Sequence, residues 1–169
     1  KEHSNLVSDY HLMVEEPSRF FDSFSISENN IFTIHQECSR NLHRDIISLR
    51  KKGARVGVAL SPGTSLDTLE YIIEDLDVIL LMTVNPGYKG QPLVPQAIKK
   101  IANLKKIINE MNLKTQISVD GNVNSNTIPE MVSSGADILV LGSSGLFRKD
   151  TSISDAVEKI KNSIDEGKK

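Results

Sequence analysis

Asp120 ends the β-rich run Thr115-Gln116-Ile117-Ser118-Val119-Asp120 and is followed at once by Gly121-Asn122. A strand that closes on a carboxylate and then turns at glycine carries a charged group to the mouth of a sheet. Asp120 is therefore the first candidate for a catalytic side chain, although an Asp-Gly pair also suits an ordinary turn. His11, in Tyr10-His11-Leu12-Met13-Val14, alternates with Leu12 and Val14 and shares a face with Met13. An inward histidine is a candidate ligand or a core imidazole bonded to backbone, and Met13 on the same face is suited to packing. The loop Asn85-Pro86-Gly87-Tyr88-Lys89-Gly90-Gln91 follows an apolar run. Its glycines let backbone N–H groups approach an anion, with Lys89 adding charge, or it is a plain long loop. Gly142-Ser143 after Ile138-Leu139-Val140-Leu141 repeats the same logic.

The elements that must position these groups read as strands at Tyr10–Val14, Ile31–His35, Arg55–Leu60, Val78–Val84, Thr115–Asp120 and Ile138–Leu141. Helical patterns lie between them. Leu66, Leu69, Ile72, Ile73 and Leu76 share one helical face, as do Ile98, Ile101, Leu104, Ile107, Ile108 and Met111, and Ile153, Val157, Ile160 and Ile164 form a third. Pro129 suits a first helical turn, and Gly53 and Gly135 suit helix ends. Uninterrupted βα alternation predicts a single α/β domain over residues 1–169 with a parallel sheet. An open doubly wound sheet and a barrel both fit. Polar and glycine-rich residues after nearly every strand favour the barrel, because a barrel gathers those loops at one face. A (β/α)₈ barrel has eight strands and typically ~250 residues, so two units are missing from this chain.

Composition narrows the partners. The chain has 169 residues, a formal net charge of −2 and 25% charged residues, and no long basic run; nucleic acid and anionic membrane are not expected as main partners. Cys38 is the only cysteine, which excludes an intramolecular disulfide and fits a reducing compartment. The longest apolar run, Val78 to Val84, is far short of the ~20 residues that cross a bilayer, and a cytoplasmic protein is expected. The chain begins at Lys1 rather than Met.

Taken together, His-Leu-Met-Val, Val-Ala-Leu-Ser-Pro-Gly-Thr, Met-Thr-Val-Asn-Pro-Gly-Tyr-Lys-Gly-Gln, Val-Asp-Gly-Asn-Val and a closing Gly-Ser resemble the ribulose-phosphate 3-epimerase family in order and spacing. The ending Leu141-Gly142-Ser143-Ser144-Gly145-Leu146-Phe147 is also similar to the branch acting on allulose 6-phosphate. The resemblance implies strands three to eight of a (β/α)₈ TIM barrel of the ribulose-phosphate-binding type. It further implies inversion at C3 of a ketose phosphate with one divalent metal ion (Zn, Fe, Mn or Co), and a homo-oligomer. By the same resemblance His11 is a metal ligand that also borders the substrate, and Asp120 is both ligand and acid/base. Met13 and Met82 line the pocket. Gly87, Tyr88, Lys89, Gly90, Gly121, Asn122, Gly142 and Ser143 bind substrate and its phosphate.

Two departures stand out. The family's first two strands, which carry the other metal-binding His and the other catalytic Asp, have no counterpart here, so an N-terminal quarter is expected to be lost, cleaved, disordered or omitted. Lys89 and Asn122 also stand where the family usually has glycine. A non-catalytic remnant that binds sugar phosphate or serves as a partner subunit is the alternative. A phosphate-binding barrel decarboxylase or synthase fits less well, since those families do not share His-Leu-Met-Val together with Val-Asp-Gly.

Overall fold

A computed structural model describes residues 6–28, 30–88 and 90–169. Six strands, β1 (Asp9–Leu12), β2 (Ile31–His35), β3 (Arg55–Leu60), β4 (Val78–Met82), β5 (Gln116–Asp120) and β6 (Ile138–Val140), form one parallel sheet in chain order. Consecutive order decides between the two architectures, because a doubly wound sheet reverses its order at a switch point and this one never does.

The sheet also curls. Following paired residues from His11 leads through Thr33, Gly57 and Val78 to Gln116 on β5. In a flat sheet those strands would stand about 19 Å apart, four spacings of roughly 4.8 Å. Instead the His11 ring comes within 3.5 Å of Asp120. Asp120 lies four residues beyond Gln116, after four strand steps. One residue of offset per strand is the stagger that a shear of 8 over eight strands imposes, so the sheet is an open arc of a (β/α)₈ barrel.

Alternation then sorts the side chains. Ile34, Val58, Leu60, Ile79, Leu81, Ile117 and Val119 face outward into the main core, while Ala59, Leu80 and Met82 pack with Val140 in a separate cluster on the inner, concave face. The outer layer is covered by α1 (Leu42–Lys51), α2 (Pro95–Glu110), α3 (Ile128–Ser133) and α4 (Ile153–Gly167). Helix α1 packs on β3, α2 on β4 and β5, and α3 against α4. In α2, Ala97, Ile98, Ile101, Leu104 and Ile108 are buried at helical spacing, and each large apolar side chain contributes roughly 1.5–3 kcal/mol. Proline starts α2 and α3, and the Ser152 hydroxyl accepts from the Asp155 N–H at 3.1 Å to start α4. Gly53, at φ 86°, follows α1 in the left-handed conformation that ends a helix cheaply.

The βα units share a device at the base of the sheet. Asp77, just before β4, accepts from Val56 N–H at 2.7 Å, and Asp137, just before β6, accepts from Ile117 N–H at 2.8 Å. Each carboxylate ties the entry of its own strand to the preceding one.

Three expectations need correction. Leu66 to Leu76 forms two 3-10 turns, Leu66–Leu69 and Ile73–Asp75, and not one helix; its apolar residues lie three apart over Leu66, Leu69 and Ile72, the 3-10 period, and Ile72 leaves helical backbone at φ −134°. In α4 Ile160 and Ile164 pack on the core as expected, joined by buried Ala156 and Ser163, but Ile153, the first residue of the helix, is exposed. Strand β1 stops at Leu12, so Met13 lies past it and is 52% exposed.

Candidate active site

The described residues of the expected site lie at or just past the carboxyl ends of parallel strands, His11 one residue before the end of β1, where the barrel gathers its loops. Asp120 is the last residue of β5, and its inner-face orientation follows from alternation with the buried, outward Ile117 and Val119. Thr83 fixes its backbone. The Thr83 N–H donates to the Asp120 carbonyl at 2.8 Å, and the fully buried Thr83 hydroxyl donates to the carbonyls of Asp120 and Gly121.

The Asp120 Oδ2 atom lies 3.5 Å from His11 Nδ1. The other edge of that imidazole meets His35, with Nε2···Nε2 at 2.8 Å. The rings are 17° from coplanar and their centroids 5.0 Å apart, so they meet edge to edge through their nitrogens rather than face to face. Behind His35, Nδ1 lies 3.3 Å from Glu37 Oε2. Glu37 is held in turn through Oε1 by the Ser61 N–H at 2.8 Å and the Thr64 hydroxyl. Lys100 closes the row, donating to the carbonyls of Ser61 at 2.9 Å and Thr64 at 2.5 Å.

The electrostatics follow from these contacts. Burial pushes the His35 imidazole below its usual 6.5, the neighbouring His11 ring adds to this, and Glu37 opposes it. Burial alone would raise Glu37, but the Thr64 hydroxyl and the Ser61 N–H outweigh it and hold the carboxyl below 4.5. Burial lowers Lys100, with Glu37 opposing. Beneath this row, the buried hydroxyls of Thr33 and Ser118 have no hydrogen-bond partner among the described residues, which leaves a polar floor.

A neutral His11 whose Nε2 proton points to His35 presents a lone pair from Nδ1 to the carboxylate. Two electron-rich atoms so placed call for a cation between them. Two ligands of one ion at ~2.0–2.2 Å, tetrahedrally disposed, stand about 3.4 Å apart. The His11–Asp120 spacing of 3.5 Å fits that donor pair. Among the described residues no group of three or more His, Cys, Asp and Glu is placed to hold a metal, so this pair would fill at most two positions of such a shell.

Three glycine-bearing loops meet beside Asp120. Asn122 Nδ2 donates to the Gln91 carbonyl at 3.2 Å, joining the loop after β5 to that after β4. Ser144 Oγ donates to the Val123 carbonyl at 3.3 Å, joining it to the loop after β6. Gly87, Gly90 and Gly121 have positive φ, and Asn122, at φ 51°, takes the left-handed conformation that asparagine tolerates where glycine is common. Tyr88 and the pair Gly142-Ser143 are exposed, and Lys89 lies outside the described residues. Met82 is buried in the inner cluster, whereas Met13 is outside it. Sequence reasoning passed over His35, Glu37 and Thr83. The alternation Thr33, His35 on the inner face was the available signal for the second histidine.

A family model, Ribulose-phosphate 3 epimerase family, matches residues 1–147. Ribulose-phosphate 3-epimerase of Bacillus subtilis is 40% identical over 141 residues, covering 83% of this chain and 65% of that protein. The Escherichia coli K12 enzyme of the same name is 38% identical over 135 residues, covering 80% and 60%. Chloroplastic ribulose-5-phosphate-3-epimerase of Arabidopsis thaliana is 35% identical over 162 residues, covering 95% and 57%. The chain thus spans less than two thirds of the length of these curated relatives. With most of its length matched by the family model, and with its strands in barrel order, the chain belongs to the ribulose-phosphate 3-epimerase family.

Proposed function

We propose that this chain carries part of a metal-dependent 3-epimerase site for a ketose phosphate. The substrate pair is D-ribulose 5-phosphate and D-xylulose 5-phosphate, or D-allulose 6-phosphate and D-fructose 6-phosphate, and the reaction is two-base proton transfer at C3. The observation that supports this most directly is the approach of His11 Nδ1 to Asp120 Oδ2 at 3.5 Å across the concave face. Asp120 would remove or return the C3 proton on one face of the sugar. His11 and Asp120 would hold two positions of the divalent ion, which when bound stabilises the negative charge that grows on the C2 oxygen as the proton leaves. Met82 would give that side of the pocket an apolar, polarizable wall. The loops at Gly87 to Gly90, Gly121-Asn122 and Gly142-Ser143 would take the phosphate through backbone N–H groups. Assembly into a homo-oligomer belongs to the same proposal.

A coupled assay on the full-length gene product, offered both substrate pairs before and after chelation and metal restoration, tests the reading. Metal-dependent C3 epimerisation is expected, and Asp120→Asn should lower kcat by about 10²–10⁴ while leaving the melting temperature near that of the parent. Full turnover after Asp120→Asn would overturn the assignment. The alternative, a sugar-phosphate-binding or partner subunit without turnover, is favoured by one observation: the described residues supply only part of a metal shell. Binding without turnover by the full-length product would select it.

A further inference from the structure

We propose that His35 and Glu37 are positioning residues that set the tautomer of His11, leaving the Nδ1 lone pair aimed at the space beside Asp120. The part of this inference that concerns a divalent cation rests on the function proposed above; the tautomer itself does not.

The inference is an account of protons along one row of atoms. Glu37 Oε1 is already taken by two donors, the Ser61 N–H and the Thr64 hydroxyl, so the carboxylate meets His35 through Oε2 as an acceptor. His35 Nδ1, at 3.3 Å, therefore carries its hydrogen. Between His35 Nε2 and His11 Nε2, at 2.8 Å and nearly in one plane, there is room for one proton. His35 is 4% exposed and already donates from Nδ1; a second proton would bury a charge in the barrel wall, where Glu37 is the one carboxylate in contact with the ring among the described residues. The shared proton thus sits on His11 Nε2, and Nδ1 is left with its lone pair 3.5 Å from the Asp120 carboxylate. A ligating histidine is commonly oriented by a hydrogen bond from its other nitrogen to a carboxylate, a carbonyl or water, and loss of that partner typically costs 10–100-fold in metal affinity. Here the partner is a histidine whose own direction is set by a glutamate pinned to the loop after β3.

The row can be reversed by changing one atom. In Glu37→Gln the amide oxygen can stay with Ser61 and Thr64 only if its NH₂ faces His35 Nδ1. His35 must then accept at Nδ1 and donate from Nε2, and His11 must accept at Nε2 and carry its proton on Nδ1, where it would bond Asp120 in place of a cation.

Long-range ¹H–¹⁵N correlation spectra of histidine-labelled, metal-free full-length protein at neutral pH read this directly. The wild type should show a pyridine-like Nδ1 and a pyrrole-like Nε2 at His11, and Glu37→Gln should exchange them. Affinity for Zn²⁺ alone, measured by competition with a chromophoric chelator, should fall 10–100-fold in Glu37→Gln. If that variant does not fold, His35→Phe removes the acceptor at similar volume and should give a mixture of His11 tautomers with the same loss of affinity. A wild-type His11 with its proton on Nδ1 overturns the proposal without any variant, as does a Glu37→Gln protein with unchanged spectra and affinity. Absence of epimerase turnover with the expected wild-type spectrum would instead sink the functional reading and leave the tautomer assignment standing.

Discussion

Gly121 and Gly142 stand in similar places, the first residue past β5 and the second past β6, yet their surroundings assign them different duties. A Cβ at Gly121 would lie 2.5 Å from a Val84 methyl and 2.9 Å from the Val84 nitrogen, and its φ of 116° disfavours any side chain. A Cβ at Gly142 meets nothing within 4 Å, and its backbone is not left-handed. The fold needs glycine at 121, and at 142 it does not. Gly121→Val should therefore cost at least about 1–2 kcal/mol from the left-handed backbone alone, with the collision against Val84 added. Gly142→Val should melt within a few degrees of the parent while weakening ketose-phosphate binding, since its side chain would occupy the space that the phosphate is proposed to fill. Differential scanning and titration calorimetry on the two variants check both statements. Unchanged affinity in a folded Gly142→Val protein would move the anion away from this loop.

Helix and strand placement was legible where one periodicity dominated. Ile31–His35 and Arg55–Leu60 are β-branched, alternating runs, and their ends in the structure coincide with those read from the residues. Leu66 to Leu76 was misread because spacings of three satisfy both a 3-10 and an α template, and only the local backbone decides between them. His35 and Glu37 were passed over for another reason. Their polar types fit a loop after a strand, and the partner that gives them meaning, His11, is 24 residues away and arrives only through β1–β2 pairing and the curl of the sheet. The same element carries a pH prediction. The Glu37 carboxyl is held below its ordinary value of 4.5, so the unfolded state binds more protons as pH falls below 4.5, and stability rises with pH across that interval. The contribution is complete above 4.5 and is lost as pH drops through the depressed folded value. Glu37→Gln should have a lower urea midpoint than the parent at neutral pH, and the gap should narrow as pH falls below 4.5. A gap of constant size over that range would show that the carboxylate does not anchor this loop.

At the scale of the whole molecule, the arc leaves β1 and β6 each paired on one side only among the described residues. A closed barrel has no such edges, and two further βα units would join them. A polypeptide of residues 1–169 by itself leaves strand backbone unpaired along the outer edges of β1 and β6, so sedimentation should show concentration-dependent self-association and not a clean monomer. Catalysis by that polypeptide should fail on separate grounds. Inversion at C3 requires proton removal on one face of the sugar and delivery on the other. In the proposed mechanism Asp120 serves one face, while Glu37 is committed to Ser61, Thr64 and His35 and is not free to serve the second. Residues 1–169 alone are therefore expected to give no C3 epimerisation above background while retaining weak phosphate binding. The same chain completed by two upstream βα units should turn over once a divalent metal is added. A coupled assay on mass-verified protein decides between them, because robust metal-dependent turnover from residues 1–169 alone would mean that the second acid/base lies within this chain and that the two-face assignment built on Asp120 is wrong.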